Sequence, residues 1–211
     1  TFRGEDMLSD AISFFEKAFV GNGDWTHLGI IITQDLIPFK NGVAGKLYIW
    51  ESTMSGALGY YPNNIETNQG DFGVQIRDLE EVIANYDNHK DTKIGWCKLI
   101  NNPLDKKEHE TIEEYNKRYD NIKSNLINFY NEHGNDSYDY NIFSLLRTVF
   151  RFIPNIFNFK HMYFCSEMVT KIYESIGIIS SNIDPETISP SELIGGINPI
   201  VNHPVIIVRD Y

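Results

Sequence analysis

Cysteine is scarce: Cys97 and Cys165 are the only two in 211 residues. Two are too few for a disulfide framework, and neither has the clustered Cys/His spacing of a zinc site, so a reducing compartment is the simplest expectation. Long apolar runs are also missing, and without about 18 consecutive apolar residues no segment reads as a membrane-spanning helix. The opening TFRGEDMLSD is charged and lacks the apolar core of a signal peptide, while Thr rather than Met in first place leaves room for an upstream segment. Positive charge is in short supply as well. Eighteen Lys and Arg stand against 29 Asp and Glu, a net charge of -11, so most of the surface repels a phosphate backbone and nucleic acid is not expected as a partner. These absences together give the expectation of a soluble protein of the cell or virion interior.

What is present is enough apolar material for one core: 42% of the chain is hydrophobic. No internal repeat, low-complexity tract or long linker divides it, so residues 1–211 are read as a single domain. Met7, Leu8, Ala11, Ile12, Phe14, Phe15, Ala18 and Phe19 recur at helical spacing up to the breakers Gly21 to Asp24. The β-branched run His27 to Thr33 has the length of a strand buried on both faces. Lys46 to Ser52 alternates like a second strand after the turn signals Asn41-Gly42 and Gly45, and the two are expected to be antiparallel neighbours. Further strands are expected at 73–76, 93–99 and 204–208, with a short helix over 79–86. A helical stripe runs through Ile112, Tyr115, Tyr119, Ile122, Leu126 and Phe129, and another from Met162 to Ile176, stopped by Gly177.

That last helix places Cys165 in a first turn, where unpaired backbone N–H groups and the helix dipole favour thiolate. Cys97 falls mid-strand, as an inert core cysteine would. A nucleophilic Cys needs an imidazole to take its proton. Of the six histidines, His89, His109 and His133 have polar neighbours and read as solvated surface. His27 opens a strongly apolar strand that could hold the ring rigidly. His161, four residues before Cys165, ranks second, and His203 ranks third. Glu51 interrupts an aromatic strand beside His27, where a carboxylate can accept the second ring N–H and fix the tautomer.

In order, Trp25-Thr26-His27-Leu28-Gly29-Ile30-Ile31, Tyr48-Ile49-Trp50-Glu51-Ser52, Gly73-Val74-Gln75-Ile76, Tyr163-Phe164-Cys165-Ser166-Glu167-Met168-Val169 and Ser189-Pro190-Ser191-Glu192-Leu193 resemble the circularly permuted NlpC-type papain-like proteins. That group has bacterial, poxvirus and giant-virus members, with lecithin:retinol acyltransferase a more distant relative. The resemblance runs from about Ser9 to Leu193. It implies an α+β fold with an antiparallel sheet packed against helices, Cys165 as nucleophile at a helix N-terminus, His27 as base and Glu51 as the third member. Papain itself has Cys before His, and a permutation reverses that order. Family members usually carry a Gly-Asp strand ahead of the first helix, where this chain has only Arg3-Gly4-Glu5-Asp6.

The chemistry implied is attack of the Cys165 thiolate on an amide or ester carbonyl, by a hydrolase or an acyltransferase needing no cofactor or metal. A peptide and a lipid or other acyl substrate both remain open, as does a non-catalytic component that retains the fold. Tyr140 to His161 has no acidic residue, yet carries Arg147, Arg151, Lys160 and five phenylalanines. An apolar surface edged with cations suits a peripheral membrane or protein contact, and a core helix with its flanking loop has the same composition.

Overall fold

In a computed structural model of the chain, the described residues are 2–3, 25, 27–53, 62–68, 73–87, 93–134, 136–138, 162–163, 165–195 and 205–209. The expected helix over 6–19, the 140–161 segment, His89, His161 and His203 lie outside them. The chain order is β1 (Phe2–Arg3), β2 (Gly29–Thr33), β3 (Leu47–Thr53), β4 (Gly73–Asp78), α1 (Leu79–Asp87), β5 (Lys93–Trp96) and α2 (Ile112–His133). It continues through β6 (Ser137–Tyr138), β7 (Met162–Tyr163), α3 (Cys165–Ser175), a 3-10 turn at Pro185–Thr187, α4 (Pro190–Gly195) and β8 (Val205–Arg209). The class is α+β.

The sheet that positions the site has the order β2-β3-β4, antiparallel throughout. Its register aligns Ile30, Trp50 and Ile76 across one face and Gly29, Glu51 and Gln75 across the other. The period of two thus separates an apolar face from a partly polar one. On the apolar face Ile32, Tyr48, Trp50, Val74 and Ile76 pack against Ile122, Leu126 and Phe129 of α2 and Met168 and Ile172 of α3. Trp50 meets Phe129 edge-on at 5.7 Å, a geometry aromatic quadrupoles favour. On the other face Ile49 packs with Val82 of α1 and Ile94 of β5. A second antiparallel sheet, β1-β5-β8, adds Phe2–Arg3 to one edge of β5.

Helix ends follow local chemistry. The Asp78 carboxylate accepts from the N–H groups of Glu80 and Glu81 and so starts α1 directly from β4. Thr111 and Glu114 form a reciprocal capping box on α2. Gly177, at φ 76°, lets α3 end in a Schellman turn: Ile178 N–H reaches Tyr173 O and Gly177 N–H reaches Glu174 O. Ser189 and Glu192 cap α4 in the same reciprocal manner around Pro190, giving Ser-Pro-Ser-Glu a structural role.

Three expectations are corrected. The strand containing the run after His27 begins at Gly29 and, among the described residues, is an edge strand; Ile31 is 39% exposed, so it is not buried on both faces. β5 stops at Trp96, leaving Cys97 just past the strand and half-buried. Ile112 belongs to the helical stripe but is 63% exposed, since the buried residues of α2 begin only at Ile122. No helix among the described residues is long and apolar enough to cross a membrane.

Candidate active site

The site begins with the close approach of two strands. Gly29 faces Glu51 in register, and a Cβ there would lie 2.6 Å from Ile49 Cδ1 and 3.2 Å from Glu51 Cβ. Glycine therefore lets β2 lie tightly against β3, and His27, two residues upstream, reaches over to the carboxylate. His27 Nε2 lies 2.7 Å from Glu51 Oε2. Glu51 occupies the central strand and is 3% exposed, so it is not an edge-strand carboxylate facing water. Cys165 is the first residue of α3 and is itself 3% exposed. Its side chain lies close enough to His27 to raise the basicity of the ring, so the imidazole stands between Cys165 and Glu51. With Nε2 turned to Glu51, Nδ1 is the nitrogen left for the thiol. The three residues singled out in the sequence are thus brought together.

Electrostatics set the protonation of this cluster. Burial disfavours the charged imidazole, but the charge and hydrogen bond of Cys165, followed by those of Glu51, outweigh it and push His27 up to about 9. The His27 side chain is only 14% exposed, so water screens these contacts weakly. Glu51 moves the other way. Burial pushes its carboxyl upward, yet the hydrogen bond and charge of His27, and then the charge of Arg77, hold it below the usual carboxylate range. A carboxylate beside an imidazolium is the form these contacts favour.

Arg77 and Gln75 were not singled out in the sequence. Arg77 is 1% exposed, and its Nη1 lies 3.4 Å from Glu51 Oε1, the oxygen that His27 does not use. Its Nε and Nη2 both donate to Gln75 Oε1, at 3.2 and 2.8 Å. The signal was available: Gln75 and Arg77 are two apart in the strand, hence on one face and aligned with Glu51 and Ile49. Glu167, in the first turn of α3, pairs with Lys171 at 3.0 Å.

The other histidines separate from this cluster. His109 is exposed. His133, expected to be solvated, instead pairs through Nδ1 with Asp136 at 2.6 Å and stacks on Phe129, its side chain 22% exposed. Among the described residues no group of three or more His, Cys, Asp or Glu side chains could hold a metal ion. A thiol, an imidazole and a carboxylate in hydrogen-bonded series can move a proton from sulfur to nitrogen and stabilise the resulting charge. No protein-family model matches the chain, and no curated protein or solved structure is significantly similar to it.

Proposed function

We propose that the chain is a papain-like thiol hydrolase or acyltransferase of the circularly permuted NlpC type, with Cys165 as nucleophile, His27 as base and Glu51 as the residue orienting the base. The observation that carries this reading is the 2.7 Å contact of His27 Nε2 with Glu51 Oε2, with the Cys165 side chain at the start of α3 acting on the same ring. His27 comes from just ahead of β2, Glu51 from the neighbouring β3 and Cys165 from a helix late in the chain, in the order His, Glu, Cys that a permutation produces.

In the proposed reaction the Cys165 proton is held on His27, and Cys165 Sγ adds to the carbonyl carbon of an amide or ester. The carbonyl electron pair goes to oxygen, where the Cys165 backbone N–H, free of an intrahelical partner at this position, is a natural donor. Collapse of the tetrahedral intermediate expels the amine or alcohol, which leaves with the proton from His27. Water, or another acceptor in a transferase, then gives its proton to His27 and cleaves the thioester. Glu51 keeps Nε2 protonated and stabilises the imidazolium throughout.

Competitive alkylation tests the reading. Cys97 is the more exposed thiol, so exposure alone predicts that limiting iodoacetamide modifies it first. The proposal requires the reverse, because thiolate character governs thiol alkylation. Peptide mapping that finds Cys97 labelled ahead of Cys165 removes the reason for calling Cys165 activated. Cys165→Ala and His27→Ala should each abolish turnover in a screen of activated esters and peptidyl amides.

A further inference from the structure

We infer that Arg77, anchored by Gln75, is a positioning residue for the proposed reaction: it holds Glu51 in place and takes up part of its charge, so that His27 can still release a proton. The inference rests on the thiol acyl-transfer reading and adds a further side chain to the site at Cys165. Its basis is the geometry of one face of the sheet. Glu51 and Gln75 are paired across β3 and β4, Arg77 follows two residues along on the same face, and all three are buried. Gln75 Oε1 accepts from Arg77 Nε at 3.2 Å and from Nη2 at 2.8 Å, which fixes one edge of the guanidinium. The third nitrogen, Nη1, then lies 3.4 Å from Glu51 Oε1. The work of the two carboxylate oxygens is thereby divided, Oε2 to His27 Nε2 and Oε1 to Arg77. A carboxylate engaged through both oxygens is kept from turning away from the ring.

Charge points the same way. With His27 protonated and Cys165 ionised, the row Cys165, His27, Glu51, Arg77 alternates in sign and sums to zero, a state that a buried site tolerates far better than a net charge. Among the described residues the charged groups acting most strongly on His27 are Cys165 and Glu51, and those acting most strongly on Glu51 are His27 and Arg77. α1 and β5 face this side of the sheet with the uncharged Val82 and Ile94. A general acid must also let go of its proton. An imidazolium beside a carboxylate that has no other cation is held tightly, and handing its proton to a leaving amine or alcohol becomes harder. A second cation on the same carboxylate weakens that hold, and arginine keeps its charge throughout the range in which an imidazole titrates. Stability alone does not call for such a residue, since exchanging a buried ion pair for apolar side chains of similar volume is often neutral or stabilising.

The position of the His27 titration separates this role from a purely structural one. NMR follows the His27 ring protons with pH in the unsubstituted full chain and in Arg77→Leu, Arg77→Gln and Arg77→Lys. Removing a positive charge one carboxylate away, at an effective dielectric of about 20, should raise the midpoint by about tenfold in proton affinity. Lost orientation alone would weaken the contact with Glu51 and lower it. Arg77→Gln is neutral but can still hydrogen-bond to Glu51, so it carries the test if Arg77→Leu does not fold. Arg77→Lys restores the charge and should bring the midpoint back to within about twofold of the unsubstituted chain. The inference is overturned if Arg77→Gln titrates at or below the unsubstituted midpoint, or if Arg77→Lys departs from it as far as Arg77→Gln does. Iodoacetamide selectivity for Cys165 over Cys97 is read separately on the unsubstituted chain. Intact selectivity with an unmoved midpoint refutes the role of Arg77 alone, whereas lost selectivity removes the acyl-transfer reading itself.

Discussion

Replacing Arg77 by leucine should destabilise the protein far more than the weak worth of an average ion pair implies. At 3.4 Å and an effective dielectric of about 20, the attraction between its guanidinium and Glu51 is about 5 kcal/mol. Most of that offsets the cost of burying the two charges, so the intact pair contributes little net stability. The asymmetry appears on removal. Arg77→Leu would leave a 3% exposed carboxylate with His27 as its remaining charged partner and take both guanidinium donors from Gln75 Oε1. Breaking a buried pair in this way costs about 3–5 kcal/mol, a large share of a typical domain's stability. The penalty should depend on pH in a defined direction. Glu51 is held below its ordinary range in the folded protein, so its contribution is present above about pH 4.5 and is lost as pH falls through the folded value. Without Arg77 that folded value rises, the carboxyl protonates sooner, and the gap to wild type narrows in acid. Urea unfolding followed by tryptophan fluorescence near pH 7 and near pH 4.5 measures both quantities. Arg77→Lys keeps a charge but loses the planar fork to Gln75, and should fall between the two. An Arg77→Leu protein within about 0.5 kcal/mol of wild type at pH 7, or one with the same deficit at both pH values, would refute this account of the buried pair.

Other consequences are open to direct measurement. Gly29→Ala places a methyl group 2.6 Å from Ile49 Cδ1, so β2 must shift or Ile49 must turn, at a cost of about 1–3 kcal/mol in unfolding free energy. It should also lower turnover, because the displaced strand carries His27. The His27 ring protons should titrate at about 9 by NMR, and at lower pH in Cys165→Ala, where both upward contributions of the thiol are absent. An unchanged midpoint would mean that Cys165 does not act on the ring. Thr111→Ala removes the hydroxyl that caps α2 and should cost about 1 kcal/mol without changing the His27 titration. Glu51→Gln still accepts a hydrogen bond but stabilises an imidazolium less, so activity should fall partially, and full activity would deny Glu51 its orienting role.

The parts of this arrangement that are legible in the sequence are those written in local periodicity. The alternation in Leu47 to Thr53, the turn residues before it and the β-branched run after His27 point to the antiparallel pairing, and with it to a Glu51 that stands next to His27. The helical stripe ending at Gly177 places Cys165 at a helix start. Edges are not legible: Ile30-Ile31-Ile32 reads the same whether one or both sides of the strand are paired, since burial of a side chain and pairing of a backbone are different variables. Arg77 escapes notice because a lone Arg in a strand usually reaches solvent, and only the register with Glu51 shows that it turns inward. His133 reads as surface in Glu-His-Gly, and its partner Asp136 lies beyond the end of its own helix. Cys97 reads as internal to a strand because nothing in Ile94-Gly95-Trp96-Cys97 announces that pairing with β8 stops at Trp96.

The separation of the three site residues along the chain also sets a timetable for assembly. His27 lies just ahead of β2 and Glu51 on β3, strands adjacent in both sequence and sheet, a contact that can form early and locally. Cys165 follows more than a hundred residues later, after α2 and the remainder of the sheet. During synthesis the base and its carboxylate can therefore be paired on the growing chain while the sulfur has yet to be made. The thiol meets its imidazole only when α3 docks on β2 and β3, among the last contacts available to the folding domain. Until then its sulfur has no imidazole beside it, and the pair comes together already enclosed.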